Sequence, residues 1–128
     1  MIPQIEAFEA AVAYLKGKTS VDIKKSVQLP ADACGTTAEL VGGIPKGRYL
    51  NKLHGKEALT VLFMTKHTNQ KTAMENICNI GNHADVMPRI DGQTVTVLFA
   101  EKRGSAEFVG FDGKYYVYSL LTELFINF

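Results

Sequence analysis

The run from Lys114 to Phe128 constrains this chain more than any other stretch, because it alternates over its whole length. Even positions hold Tyr116, Tyr118, Leu120, Thr122, Leu124, Ile126 and Phe128, almost all apolar. Odd positions mix Tyr115, Ser119, Glu123 and Asn127 with Val117, Leu121 and Phe125. Successive side chains of a strand point to opposite faces of a sheet. The run therefore reads as one long strand with an apolar core face and a half-polar opposite face. A loose tail has no use for Phe125, Ile126 and Phe128, so these residues are expected to be built into a sheet.

Such a strand needs partners and a cover. Residues 3–16 are predicted to form an amphipathic helix, with Ile5, Phe8, Val12 and Leu15 at helical spacing. Pro3 suits its first turn, and Lys16 precedes a predicted stop at Gly17. Residues 17–37 interleave Lys18, Lys24 and Lys25 with Val21, Ile23, Val27 and Leu29, a pattern open to a short strand or an ordered loop. Ala38 to Val41 reads as a short strand ending at Gly42 and Gly43, and residues 42–56 read as a basic, turn-rich loop. Ala58 to Thr65 is apolar on both faces, as a central strand is. Thr68 or Asn69 can cap a second helix running to about His83, with Ala73, Ile77, Ile80 and Ala84 in one stripe. Gly81 is expected to weaken its last turn.

Asp91 and Gly92 read as a turn before a strand over 94–100, with Pro88 arguing against a central position for it. Residues 101–105 read as a polar connection. Residues 106–111 and the long terminal run then form a predicted hairpin, closed by Asp112 and Gly113 in a type I′ turn. The order is helix, weak strands, central strand, helix, three strands. It predicts one α+β domain over 1–128, with a mainly antiparallel or mixed sheet and two helices packed on it.

The 128 residues can bury a core without staples, and a net charge of +1 gives no global field for nucleic acid or an anionic membrane. No apolar stretch approaches the ~20 residues of a membrane span. The first residues lack the basic region of a signal peptide, so none is expected. Cys34 and Cys78 lie far apart and are expected to be reduced thiols, Cys34 in a loop and Cys78 a small core or half-buried residue beside Ile77 and Ile80. Gly42 to Arg48 lacks the spacing and the following helix of a phosphate loop. His54, His67 and His83 match no ligand pattern and read as surface or capping residues. No acid–base pair, activated nucleophile or metal cluster can be assembled, so no catalytic, cofactor or metal residues are expected and the chain does not read as an enzyme.

The segment from Leu59 to Lys71 entering the second helix, Glu75 to Ile80 within it, and Phe108 to Ser119 running into the terminal strand carry a family likeness. With the short N-terminal helix, they resemble the minor capsid or tail terminator proteins of long-tailed phages of Gram-positive bacteria. The likeness spans nearly the whole chain, except 17–35, and its motifs are topological. It implies a structural protein, without cofactor, that forms a ring, commonly a hexamer, on the head-proximal end of the tail tube. The ring would stop tube growth and meet the head–tail connector, in the virion and, during assembly, in the host cytoplasm. DNA would pass through its channel without sequence reading, and no membrane would be involved. Assembly onto the tube is compatible with a monomer in free solution. The expected contacts are Lys46, Arg48, Tyr49 and Lys52 in the loop 42–56, with Lys102 and Arg103 in the connection 101–105. Alternatives are a head completion or minor head protein, and an α+β module that binds a small ligand or peptide.

Overall fold

Pro3 stands at the first position of α1 (Pro3–Thr19), where its missing N–H is one of the groups a helix start leaves unbonded anyway. The computed structural model describes residues 2–25, 28–48 and 55–128. Ala7, Phe8, Ala11, Val12 and Leu15 form the buried stripe of α1. The helix runs through Gly17, against the predicted stop there. It ends at Ser20, which takes the left-handed conformation (φ 59°) and donates its N–H to the Lys16 carbonyl. That bond closes the last turn in the way glycine caps usually do.

The strands are β1 (Ile23–Lys25), β2 (Gly35–Arg48), β3 (Gly55–His67), β4 (Ile90–Asp91), β5 (Thr96–Lys102), β6 (Glu107–Asp112) and β7 (Tyr115–Asn127). The second helix, α2 (Gln70–Asp85), follows β3. The strand order is β1-β2-β3-β7-β5-β4, with β6 also paired to β7. Among the described residues only β1 and β2 pair in parallel, so the sheet is mixed but mostly antiparallel, and it curls as a half-barrel. The α+β architecture matches the expectation, with β4 as an additional two-residue strand.

Two readings of β2 are corrected. Its strand does not end at Val41, and residues 42–48 are not loop. They continue the ladder with β3 from Gly42↔Thr60 to Arg48↔Gly55. Bulges between Leu40 and Gly42 and between Pro45 and Gly47 take up the residues that read as turn formers. Glycine and proline are tolerated at bulges and edges, which is why the pattern mimicked a loop. Residues 49–54 lie outside the described residues.

The terminal strand is central. One edge of β7 pairs with all of β3, from Lys56↔Asn127 to His67↔Tyr116. Its other edge pairs first with β6 and then with β5. Arg103 donates its N–H to the Leu121 carbonyl, so the residues joining β5 to β6 stay against β7. Much of the predicted polar connection is therefore ladder, and Glu101 and Lys102 belong to β5 itself. The hairpin turn also moves by one residue. Asp112 pairs with Tyr115, leaving Gly113 and Lys114 as the loop. Only Gly113 has positive φ (59°), so the turn matches a single positive-φ position, as in type II′, rather than type I′.

Tyr118, Leu120, Leu124 and Ile126 face the core, as the even-position reading requires. They meet Leu59, Val61 and Phe63 of β3, Val97 of β5, and the stripes of both helices. Asn69 settles the cap of α2, its Oδ1 accepting the Thr72 N–H at 3.1 Å. Gly81, whatever it costs in helix propensity, lets α2 pass close to β5 and β7. A Cβ there would lie 2.8 Å from Lys102 Cδ and 2.9 Å from Leu120 Cδ2.

Candidate interaction surface

Both helices cover the same face of the sheet, so the side chains of alternate residues on the central strands emerge on the other face. There Leu62 of β3 pairs with Leu121 of β7, and Phe99 of β5 pairs with Phe125 of β7. The two phenyl rings stack with centroids 4.4 Å apart and planes 17° from parallel. Val41, Phe99 and Leu121 remain 49%, 46% and 38% exposed. No element among the described residues covers them. A groove of ≈370 Å³ crosses this face, lined by Val41, Leu62, Leu121, Arg103, Ser105 and Glu107.

Charge on this face is arranged around one ion pair. Glu101 and Glu123 stand directly opposite in the ladder, a pairing that repels. Arg103 Nε lies 3.1 Å from Glu123 Oε1 and offsets that repulsion. Its neighbour Lys102 turns to the helix side. Its backbone N–H donates to Asp85 Oδ1 at 2.7 Å, and its Nζ donates to Asn82 Oδ1 at 3.3 Å. The two residues predicted as one contact loop therefore serve opposite faces, Lys102 docking β5 to α2 and Arg103 facing the open side.

Of the other predicted contacts, the two that are described fall on β2, across the sheet from β5. Lys46 and Arg48 lie in β2, and Tyr49 and Lys52 lie outside the described residues. The structure does not bring Lys46 and Arg48 together with Arg103 in one loop cluster. The apolar residues of the open face went unnamed as contacts, although the half-polar odd positions of the terminal run were the available signal.

A second feature sits at the opposite end. Lys66 of β3 is only 5% exposed, and its Nζ donates to the carbonyls of Pro30 and Ala31 at 2.8 and 2.9 Å. The ammonium also lies 4.6 Å from the Tyr115 ring centroid and 3.6 Å from Asp112 Oδ2. Tyr115 donates its hydroxyl to Asp32 Oδ1 at 3.1 Å. Burial, reinforced by Asp32, raises the Tyr115 hydroxyl above its ordinary value of 10.0. These bonds pin the segment before β2 to the β6–β7 turn. Beside that segment, a cleft of ≈580 Å³ opens between the end of α1 and β2, with Thr19, Asp22, Thr36, Thr37, Lys66 and His67 on its walls. His67 Nδ1 accepts the Asn69 N–H at 2.9 Å.

Cys78 is exposed, not half-buried, because the stripe through Ala73, Ile77 and Ile80 turns it away from the sheet. Cys34 is also exposed and free, and His54 lies outside the described residues. Among the described residues no three His, Cys, Asp or Glu side chains are grouped to hold a metal, and no helix is long and apolar enough to cross a membrane. Compared with protein-family models, the chain matches none. It matches no curated protein sequence either.

Proposed function

We propose that this protein is a virion assembly component of the tail terminator type. Copies of it form a ring on the head-proximal end of the tail tube, stop tube growth and present a surface to the head. The sequence resemblance supplies the role. The observation that carries it furthest is the uncovered sheet face, where Val41, Phe99 and Leu121 lie exposed beside Leu62 and Phe125. Exposed apolar side chains on one sheet face, here on both sides of the Glu101–Arg103–Glu123 cluster, suit a site that another protein covers. The action is steric: a subunit that completes the last tube ring leaves no face for another tube subunit.

Negative-stain microscopy tests this directly, using tail tube protein from the same genome polymerised with and without the chain. Shortened tubes with an extra ring at one end support the role. Unchanged tube lengths without end density reject it. A second reading, a ligand-binding module, draws on the ≈580 Å³ cleft walled by Thr36, Thr37 and His67. A ligand that raises the melting temperature of the free chain, and loses that effect on blocking the cleft, favours this reading.

A further inference from the structure

We propose that the free edge of β6 accepts an extended segment of a partner protein, apolar in its middle and basic at its ends, as an added strand. This site adjoins the open sheet face, whose groove also reaches Glu107, but it does not depend on the tail-tube reading.

Among the described residues, β6 pairs with β7 on one side and with nothing on the other. Its outer side therefore offers unpaired backbone donors and acceptors, a template for another strand. Phe108, Val109 and Phe111 are 53%, 56% and 54% exposed. The strand is nevertheless held in shape, because Phe108 packs on Tyr118 and Phe111 on Tyr116 at centroid distances of 5.3 and 4.7 Å.

The other open edges are guarded. β1 covers only Thr36–Ala38 of β2, and the rest of that edge carries Pro45 and two bulges. Proline and bulges are devices that stop edge pairing. β4 covers Thr96 and Val97 of β5, and Asp85 takes the N–H of Lys102. β1 has three residues, two of them Lys24 and Lys25. β6 has no proline or lysine, and its one irregularity is the bulge between Phe108 and Gly110.

Charge selects the occupant. Glu107 and Asp112 close the two ends of an otherwise apolar strand, and Asp112, although it meets Lys66 Nζ at 3.6 Å, keeps 73% of its side chain exposed. Two β6 strands paired antiparallel would set Glu107 of each copy against Asp112 of the other. Paired parallel in register, they would set each acid against itself. Both arrangements place like charges opposite one another, which is unfavourable. Lys or Arg at the ends of an incoming strand makes both pairs attractive, so the edge disfavours its own copy and favours a basic-ended partner.

The test uses the full chain and two labelled peptides, Lys-Val-Thr-Val-Thr-Lys and Glu-Val-Thr-Val-Thr-Glu. Fluorescence anisotropy reads affinity, and amide hydrogen exchange reads residues 107–112. The Lys-ended peptide is expected to slow exchange at 107–112 and to bind about tenfold more tightly than the Glu-ended one, from two cross-strand charge pairs changed in sign. Glu107→Lys, at an exposed position, is expected to erase most of that preference while leaving the circular dichroism spectrum unchanged. Equal binding of the two peptides overturns the proposal, as does the absence of protection at 107–112. Protection there that grows with protein concentration alone would assign the edge to a second copy and overturn it as well.

Discussion

Gly17 and Gly81 are both helical glycines, and replacing each with alanine should move stability in opposite directions. In either helix, alanine gains about 0.8–1.0 kcal/mol over glycine from backbone propensity. At Gly17 nothing lies within 4 Å of the added Cβ, so Gly17→Ala should stabilise by about that amount. At Gly81 the same methyl falls 2.9 Å from Leu120 Cδ2 and 2.8 Å from Lys102 Cδ. Lys102 can swing away only by loosening its bonds to Asn82 and Asp85, and Leu120 is packed in the core. Overpacking of this kind costs about 1–3 kcal/mol, so the propensity gain is at best cancelled. Gly81→Ala should therefore range from neutral to about 2 kcal/mol destabilised. The gap between the two variants removes the propensity term and isolates the helix–sheet contact, at about 1–3 kcal/mol. Urea unfolding of both variants, with m-values compared, measures it. Two variants within about 0.5 kcal/mol of each other, inside the scatter of ordinary surface substitutions, would refute the close-approach argument.

Three further outcomes are expected. Asn69→Ala removes the side-chain acceptor for the Thr72 N–H and should cost about 1 kcal/mol in urea unfolding, with faster amide exchange confined to the first turn of α2. Lys66→Met leaves the Pro30 and Ala31 carbonyls without their charged donor, and should cost about 2–4 kcal/mol while speeding amide exchange across 28–34. Acid should destabilise the fold through Glu6, whose carboxylate is held below its ordinary 4.5 first by the Thr94 hydroxyl and then by backbone N–H groups of the 92–95 turn. A carboxyl lowered in the folded state binds fewer protons than in the unfolded chain. Its contribution is therefore present above pH 4.5 and lost as pH falls through the folded value. Glu6→Gln should flatten the fall in the urea midpoint between pH 5 and about 3, and an unchanged slope would refute the assignment.

Alternation and helical spacing made the core faces of β7 and α2 legible, because Leu120, Leu124 and Ile126, or Ala73, Ile77 and Ile80, repeat with the period of their own element. Position in the sheet has no such local signature. Gly42, Gly43 and Pro45 carry the composition of a loop, and only the neighbouring β3 strand turns them into a bulged edge. Gly81 looked like a poor helix former because the side chains that crowd it come from β5 and β7. The open face was half-legible. Glu123 and Ser119 marked the odd positions of β7 as solvent-facing, but nothing local says that Leu121 and Phe125 are joined there by Leu62 and Phe99. Lys102 and Arg103 were adjacent in sequence and were grouped for that reason, whereas a strand sends neighbours to opposite sides.

The place of β7 between β3 and the β5–β6 pair has a consequence for synthesis. β3 is made well before its full-length partner β7, with α2 and three strands between them. Until then β3 can pair only with β2, and Phe63, Leu59 and Val61 lack the Leu120 and Leu124 side they pack against. Pairing between strands so distant in sequence is slow and leaves edges exposed meanwhile. A nascent chain therefore passes from His67 to Asn127 with β3 paired to β2 and its other, apolar edge uncovered. A trigger-factor-like holdase should bind stalled chains that end before Tyr115 and release them once Asn127 has emerged.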